Sequence, residues 1–461
     1  MSGILGTAAQ VAAATKGQLF GDGQMPILGV SIDSRQVSAG DLFVALPGER
    51  VDGHDFIMAA QQAGASLIIS ARWPLLGVTV PVVVVADTGR ALGDLAAWHR
   101  ARFTIPVVGI TGSVGKTTTK DLTKAVLSRR WLTLANPGNY NTEIGLPLTI
   151  FHLSDQHGAA VLEMAMRAPG EIARLAEIAR PEIAVITRIG ETHLELLGSR
   201  QGIAAAKGEI LDALPPSGWA VLNGDDHLVR ALANRCPCPA IFYGLEKNDV
   251  QVWADEVKYR LGGTEFSIYL PGAAPVQVRL PVPGRHIVAN ALAAAAVGHV
   301  LGLSAEEIAA GLSGADLTGM RMEIVPGPVT IINDAYNASP TSVVAALRTL
   351  RELTPGRAGA VLGDMLELGP SAPEQHRQVG QAAAEVDLAY LITYGQLALE
   401  IGRGAVQAGM DPAQVVHAET RAAAARLVLE RCALGDWLLV KGSRGMRMEQ
   451  IIDRLREAIG P

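Results

Sequence analysis

Short apolar runs recur along this chain, and between them apolar residues return at helical spacing rather than in strict alternation. In the middle third the runs fall at 107–110, 131–135, 159–163, 183–187 and 219–223, with helical patterns at 170–179 and 201–214. Such a series predicts a parallel sheet with helices on both faces. Before it, short strands at 28–32, 41–45, 67–69 and 82–85 surround one helical stretch at 56–63, and a further helix at 90–102 leads into the middle series. After it, strands near 330–333, 358–362, 389–393 and 437–440 alternate with helices that begin near Pro340, Ala372, Gln396, Thr420 and Met446. The stretch 250–280 breaks this rhythm with short, turn-interrupted strands, as an antiparallel insertion or edge hairpins would. The fold class expected is therefore α/β in three domains, 1–86, 87–317 and 318–461: a small α/β domain, a parallel-sheet domain, and a second doubly wound α/β domain.

The run Ile105-Pro-Val-Val-Gly-Ile-Thr-Gly-Ser-Val-Gly-Lys-Thr-Thr-Thr119 is an apolar strand, a glycine-rich turn and a polar helix start. That context suits a phosphate cradle. Gly109, Gly112 and Gly115 let successive N–H groups turn toward phosphate oxygens, and the helix adds the positive end of its dipole. Lys116 is then placed to reach the β- and γ-phosphates and Thr117 to offer its hydroxyl to Mg²⁺. The spacing is G-x-x-G-x-x-G-K-T, because Ile110 stands where the strict motif has its first glycine.

Composition narrows the partner. The 461 residues carry a formal charge of −6 with 49% hydrophobic residues and 50 glycines, which offers no basic footprint for nucleic acid and fits small-molecule chemistry on buried parallel strands. No apolar run approaches bilayer length and Met1-Ser-Gly-Ile lacks a charged signal start, so a cytoplasmic protein is expected. Cys236, Cys238 and Cys432 cannot all pair, and free thiols are expected.

Polar residues gather where strands end, at Thr111, Glu163, 187–193 and Asn223. Glu163 and His193 are candidate cation ligands beside phosphates. Lys207 is out of place there: by helical spacing alone it reads as a solvated lysine, and near Mg²⁺ it must stay outside the site or lose its proton and react, for example with carbon dioxide to give a carbamate.

The loop Thr-Gly-Ser-Val-Gly-Lys-Thr-Thr, Gly138-Asn-Tyr-Asn-Thr-Glu-Ile-Gly145, Leu162-Glu-Met, Ile189-Gly-Glu-Thr-His-Leu-Glu195, Ala206-Lys-Gly-Glu-Ile210, Gly284-Arg-His-Ile-Val-Ala-Asn290 and Met320-Arg-Met-Glu323 together resemble the Mur ligases of peptidoglycan synthesis. The third-domain stretches Asn333-Asp-Ala-Tyr-Asn-Ala-Ser-Pro340, Leu362-Gly-Asp-Met-Leu-Glu-Leu-Gly369 with His376, and Lys441-Gly-Ser-Arg-Gly-Met-Arg-Met448 resemble the branch that adds D-Ala-D-Ala to UDP-N-acetylmuramoyl-tripeptide. The resemblance spans all three domains. It implies a uridine-nucleotide domain, a P-loop ATP domain and a Rossmann-like ligase domain in a monomer that closes over its substrates.

The resemblance also implies roles. Gly112, Ser113, Val114, Gly115, Lys116, Thr117 and Thr118 would cradle ATP, with Asn290 at the adenine, Arg321 at the phosphates, Asp334 at the ribose, and Tyr336 and Asn337 in the same cleft. Thr117, Glu163, His193 and a carbamylated Lys207 would hold Mg²⁺, two ions in all, and Lys116, His193, Lys207 and Arg321 would serve catalysis. Ser31, Asp33, Ser34, Arg35 and Gly48 would meet the uridine nucleotide, and Asn139, Asn141 and Thr142 the muramoyl-peptide. Arg188 and Ala165 depart from the frequent Asn and Gly of the pattern, which touches only local strand-end contacts. Two other readings are a folylpolyglutamate-synthase-like ligase, which would need a pterin site, and a nucleotide switch that hydrolyses without forming an amide.

Overall fold

The computed structural model describes residues 5–459, apart from 49, 192, 193, 261 and 355. Three main sheets follow one another along the chain, and a small antiparallel pair, Gly6–Thr7 with Pro26–Ile27, sits beside the first. The first sheet has five strands in the order Gln18–Phe20, Val82–Val84, Leu67–Ser70, Asp41–Val44, Gly29–Ser31; the first pair is antiparallel and the others parallel.

The second sheet has nine strands, and Val107–Thr111 lies inside it between Ile183–Ile186 and Ala159–Glu163. It runs parallel from Thr133–Ala135 through to Val252–Arg260 and ends in two antiparallel strands, Gly263–Tyr269 and Val276–Leu280. The irregular 250–280 stretch is thus a set of edge hairpins on the central sheet. Successive residues of the buried strands face opposite layers: Val108, Ile110, Val161 and Val185 pack toward Arg285–Val300 and Lys116–Leu127, whereas Val107, Leu162, Ala184 and Ile186 pack toward Glu171–Ala179 and Arg200–Asp212. Covering both faces is what permits a near-continuous apolar run in each strand.

The third sheet has six strands in the order Glu323–Val325, Thr330–Asp334, Trp437–Lys441, Ala358–Gly363, Tyr390–Tyr394, Val415–Ala418, with only the first pair antiparallel. Its helices begin at Pro340, Ala372, Ala398, Arg421 and Glu449. Strands Gln18–Phe20, Ala240–Gly244, Glu323–Val325 and Val415–Ala418 and helix Ala8–Thr15 lie outside the elements expected from the pattern.

Helix Thr88–Arg100 belongs to two cores. Ala91, Leu92 and Leu95 complete the core of the first sheet, and Ala96 enters that of the second. All three cysteines are free. No described helix is long and apolar enough to cross a membrane.

Candidate active site

The turn after Val107–Thr111 is shaped by its neighbours. Gly112 has φ +148°, and a Cβ there would lie 1.9 Å from Thr187 Oγ1; Gly115 has φ +90°, and a Cβ there would lie 2.4 Å from Asn290 Oδ1. Both positions require glycine on conformational and steric grounds together. The loop is fastened by Thr187 Oγ1, which donates to the Val114 carbonyl at 2.7 Å, and by Ser113 N, which donates to the Arg188 carbonyl at 2.7 Å. Lys116 Nζ donates to the Gly112 carbonyl at 2.8 Å, and burial pushes its pKa down while Glu163 opposes that shift. The Ser113 hydroxyl is buried and has no hydrogen-bond partner among the described residues.

Glu163 ends the neighbouring strand, where the Asn136 side chain holds its backbone at both N (2.9 Å) and O (3.0 Å). Its carboxylate accepts from Thr117 Oγ1 and Asn141 Nδ2, each at 2.8 Å. Arg321 donates from Nη2 to Thr117 Oγ1 at 3.0 Å, and its guanidinium lies 4.1 Å from the centre of the Tyr336 ring. Arg321, two residues before the third sheet's first strand, therefore reaches the first turn of the helix that follows the glycine-rich turn.

Farther along, Asp334 and Lys441 are register partners on adjacent strands and form a buried ion pair, with Lys441 also donating to the Asn337 carbonyl at 2.9 Å. His286 faces this pair, and burial pulls its pKa down to about 4 so that it is neutral at pH 7. Lys441 and His286 stand within quoted motifs but were not among the expected site residues. The signal that finds Lys441 is strand register, which puts it beside Asp334.

A cleft of about 810 Å³ between the second and third sheets gathers Ser113 to Thr118, Asn139, Asn141, Thr142, Glu163, Asn290, Arg321, Asp334, Tyr336 and Asn337. Gly112 forms the turn beneath. His193 lies outside the described residues. Lys207 is only 1% exposed, which corrects the solvated-lysine reading: helix Arg200–Asp212 packs against the sheet on that face. Burial, then Lys116, push the Lys207 pKa well below the usual lysine range, against the pull of Glu163. Among the described residues no group of three or more His, Cys, Asp or Glu could hold a metal by itself. A hydroxyl and a carboxylate in contact, Thr117 and Glu163, do fit Mg²⁺, which takes few protein oxygens and completes its shell with phosphates and water.

The first-domain residues sit apart from this cleft. Ser31 Oγ donates to the Asp33 carbonyl at 2.9 Å, and Asp33 binds Arg35 through backbone N, Nε and Nη2, which lowers the Asp33 pKa to about 2. Ser34 lies inside that turn, and Gly48 N donates to the Val51 carbonyl at 3.1 Å. At the end of the same loop, His54 Nδ1 lies 2.7 Å from Asp52 Oδ1, and its Nε2 accepts from Ala71 N at 3.1 Å.

A glycine-rich turn after a strand of the second sheet and an arginine that leads into the third sheet thus meet at one hydroxyl, Thr117 Oγ1. Three family models match in chain order: Mur ligase family, catalytic domain, at 26–100; Mur ligase middle domain at 110–298; and Mur ligase, glutamate ligase domain, at 320–444. The chain belongs to the Mur ligase family. Within it, the chain is 40% identical over 446 residues, 94% of both chains, to the UDP-N-acetylmuramoyl-tripeptide–D-alanyl-D-alanine ligase of Bacillus subtilis (strain 168). It is similar to the crystal structure of MurF from Acinetobacter baumannii with a TM-score of 0.91 at 33% identity, covering 98% of this chain and 99% of that one. The MurF ligase of Thermotoga maritima in complex with ADP matches at a TM-score of 0.85 and 30% identity, over 94% and 97% of the two chains.

Proposed function

We infer that this chain is an ATP-dependent ligase that joins D-Ala-D-Ala to UDP-N-acetylmuramoyl-tripeptide in peptidoglycan synthesis. The observation that carries the reading is the match, over 94% of both chains, to a ligase of that name, on a chain whose phosphate loop and Arg321 meet at the Thr117 hydroxyl. A carboxylate is a poor acyl donor. ATP converts the tripeptide's terminal carboxylate to an acyl phosphate with release of ADP; the dipeptide's amine attacks that carbonyl, phosphate leaves, a proton is released and an amide remains.

Positioning and charge do most of this work. The loop N–H groups from Gly112 to Thr118 and Lys116 hold the phosphates, and Arg321 turns from Thr117 toward the transferring group. Asn290, Asp334, Tyr336 and Asn337 shape the nucleoside end, and Asn139, Asn141 and Thr142 the end of the muramoyl-peptide. The Ser31 to Arg35 turn and Gly48 receive the uridine nucleotide. Thr117, Glu163 and His193 would hold Mg²⁺, and a carbamate on Lys207 would fix a second ion. These ions supply neutralisation of phosphate charge. Support for the carbamate is a deeply buried amine that favours its neutral, nucleophilic form. The enzyme works as a monomer in the cytoplasm, with residues 1–86 binding the UDP end, 87–317 ATP, and 318–461 completing the ligation site.

The first test is phosphate release from ATP and Mg²⁺ with each substrate alone and then with both. Release that needs both, together with a UDP-pentapeptide in the mass spectrum, is expected; release that ignores both returns the chain to the switch reading. For Lys207, a ¹³C carbamate signal from labelled bicarbonate is expected in the wild type and absent in Lys207→Ala, whose ligation is lost and partly restored by a short carboxylic acid. Full activity in that variant rules the carbamate out.

A further inference from the structure

The helix after the phosphate loop, Lys116–Leu127, carries Thr117 and Asp121 one turn apart on the same face. Each holds one residue of the segment that leads from the second domain into the third. Thr117 receives Arg321. Asp121 Oδ2 accepts from both Thr318 N (2.9 Å) and Thr318 Oγ1 (2.8 Å), and its Oδ1 lies 3.0 Å from Lys120 Nζ. Lys120 in turn donates to the carbonyl of Asn136, the residue that clamps Glu163. Three links of this chain are buried: Lys120 is 3% exposed, Asp121 8% and Asn136 1%. A continuous polar chain thus runs from the interdomain segment to the backbone of the carboxylate at the cleft.

The other side of Arg321 is fixed to the third domain. Met322 N donates to Asp334 Oδ1 at 3.2 Å, and the Met320 carbonyl accepts from Tyr336 N at 3.2 Å. Met320 and Met322 both lie in the left-handed region, at φ 61° and 53°, a conformation that costs a non-glycine residue free energy and persists only where its surroundings enforce it. Between the latched Thr318 and this constrained Met-Arg-Met there is only Gly319.

We propose that Asp121 is a positioning residue for ligation: by holding Thr318 it fixes the second-domain end of the hinge and thereby aims Arg321 at the phosphates. Arg321 must leave Thr117 when phosphates enter, and the Asp121–Thr318 latch is then what keeps its backbone in range. The proposal rests on the ligase reading, and wild-type ligation measured in parallel separates the two: a wild type that forms no pentapeptide overturns the reading, and a wild type that ligates beside unaffected variants overturns the latch.

Asp121→Ala is expected to lower kcat about 10- to 100-fold through misplacement of Arg321, with KM for ATP within roughly threefold of wild type. Asp121→Asn, which keeps an acceptor for Thr318, recovers most of that loss. In a double-mutant cycle Asp121→Ala adds little to Arg321→Ala, because both remove the same interaction. Additive losses, or a loss in Asp121→Ala that the asparagine does not relieve, overturn the proposal in favour of a packing role. Thermal melts accompany each variant. If Asp121→Ala does not fold, Thr318→Val decides: it is expected to lose kcat about three- to tenfold by shedding one of the two latch bonds, and an unchanged kcat refutes the latch.

Discussion

The cleft and the Ser31 to Arg35 turn are both charged, yet they are assembled in opposite ways. In the cleft, Thr117 meets Glu163 across 46 residues of chain and Arg321 across 204, and both Thr117 and Glu163 are buried. In the turn, Asp33 meets Arg35 two residues on, and the Arg35 side chain is 86% exposed. The first arrangement exists only once two domains have folded and met. The second is preformed by local hydrogen bonds and waits on an open surface, which suits capture of a large, flexible nucleotide-peptide. On the proposed function, the chemistry would sit where burial fixes geometry to fractions of an ångström, and substrate recognition where a ligand can arrive.

Substitutions can break this contrast. The largest effect is expected for Lys116→Ala, which on the proposed function removes a charge that serves the phosphates and should lower kcat by about 10²- to 10³-fold. Steady-state phosphate release measures it, and a loss confined to KM would move Lys116 from transition-state work to simple binding.

A pH experiment probes the seam between the two regions. His99 on the shared helix has Nε2 3.2 Å from the Leu153 carbonyl and Nδ1 without a partner among the described residues, and burial lowers its pKa to about 4 from 6.5. Because the folded value is depressed, the unfolded chain takes up the proton first. His99 therefore contributes stability that is present above pH 6.5 and lost as pH falls toward 4, up to about 3 kcal/mol over that window. Denaturant melts of His99→Leu should show a flatter pH dependence there; an identical slope would assign the acid sensitivity elsewhere.

The smallest effect sharpens the contrast from the exposed side. Arg35→Ala should raise KM for the UDP-tripeptide about tenfold and leave kcat and the ATP KM within about threefold, the pattern of lost uniform binding. A kcat loss would mean that the turn reaches into the chemistry.

Sequence patterning was most informative where an element carried its own signal. Val107–Thr111 is apolar on both faces because both are covered, and glycines after it mark the turn. Helix Ala8–Thr15 escaped because a run of alanines shows no polar face; the local clue was its capping box, Thr7 with Gln10. Strand Ala240–Gly244 is short and follows a Cys-Pro-Cys-Pro turn, so its one flank looked like loop. Lys207 was misjudged by spacing because helical periodicity says which residues share a face, not what packs on that face. Asp334 with Lys441 and Thr318 with Asp121 depend on strand register and domain contact, which no local window contains.

The helix Thr88–Arg100 carries a consequence for how the molecule can be divided. Its Ala91, Leu92 and Leu95 are interior to the first domain, and Ala96 is interior to the second. A polypeptide ending at residue 86 would leave part of the first sheet's apolar face uncovered beside helix Ala8–Thr15, whereas one continued to Arg100 would keep that cover. Excising that helix from the remainder would in turn uncover the second domain's face. The first two domains therefore share a wall, and melting of one exposes the other, while the third is joined to them by a short segment and a polar cleft. Where this one helix was placed decides which parts of the chain can be cut apart with their interiors still covered.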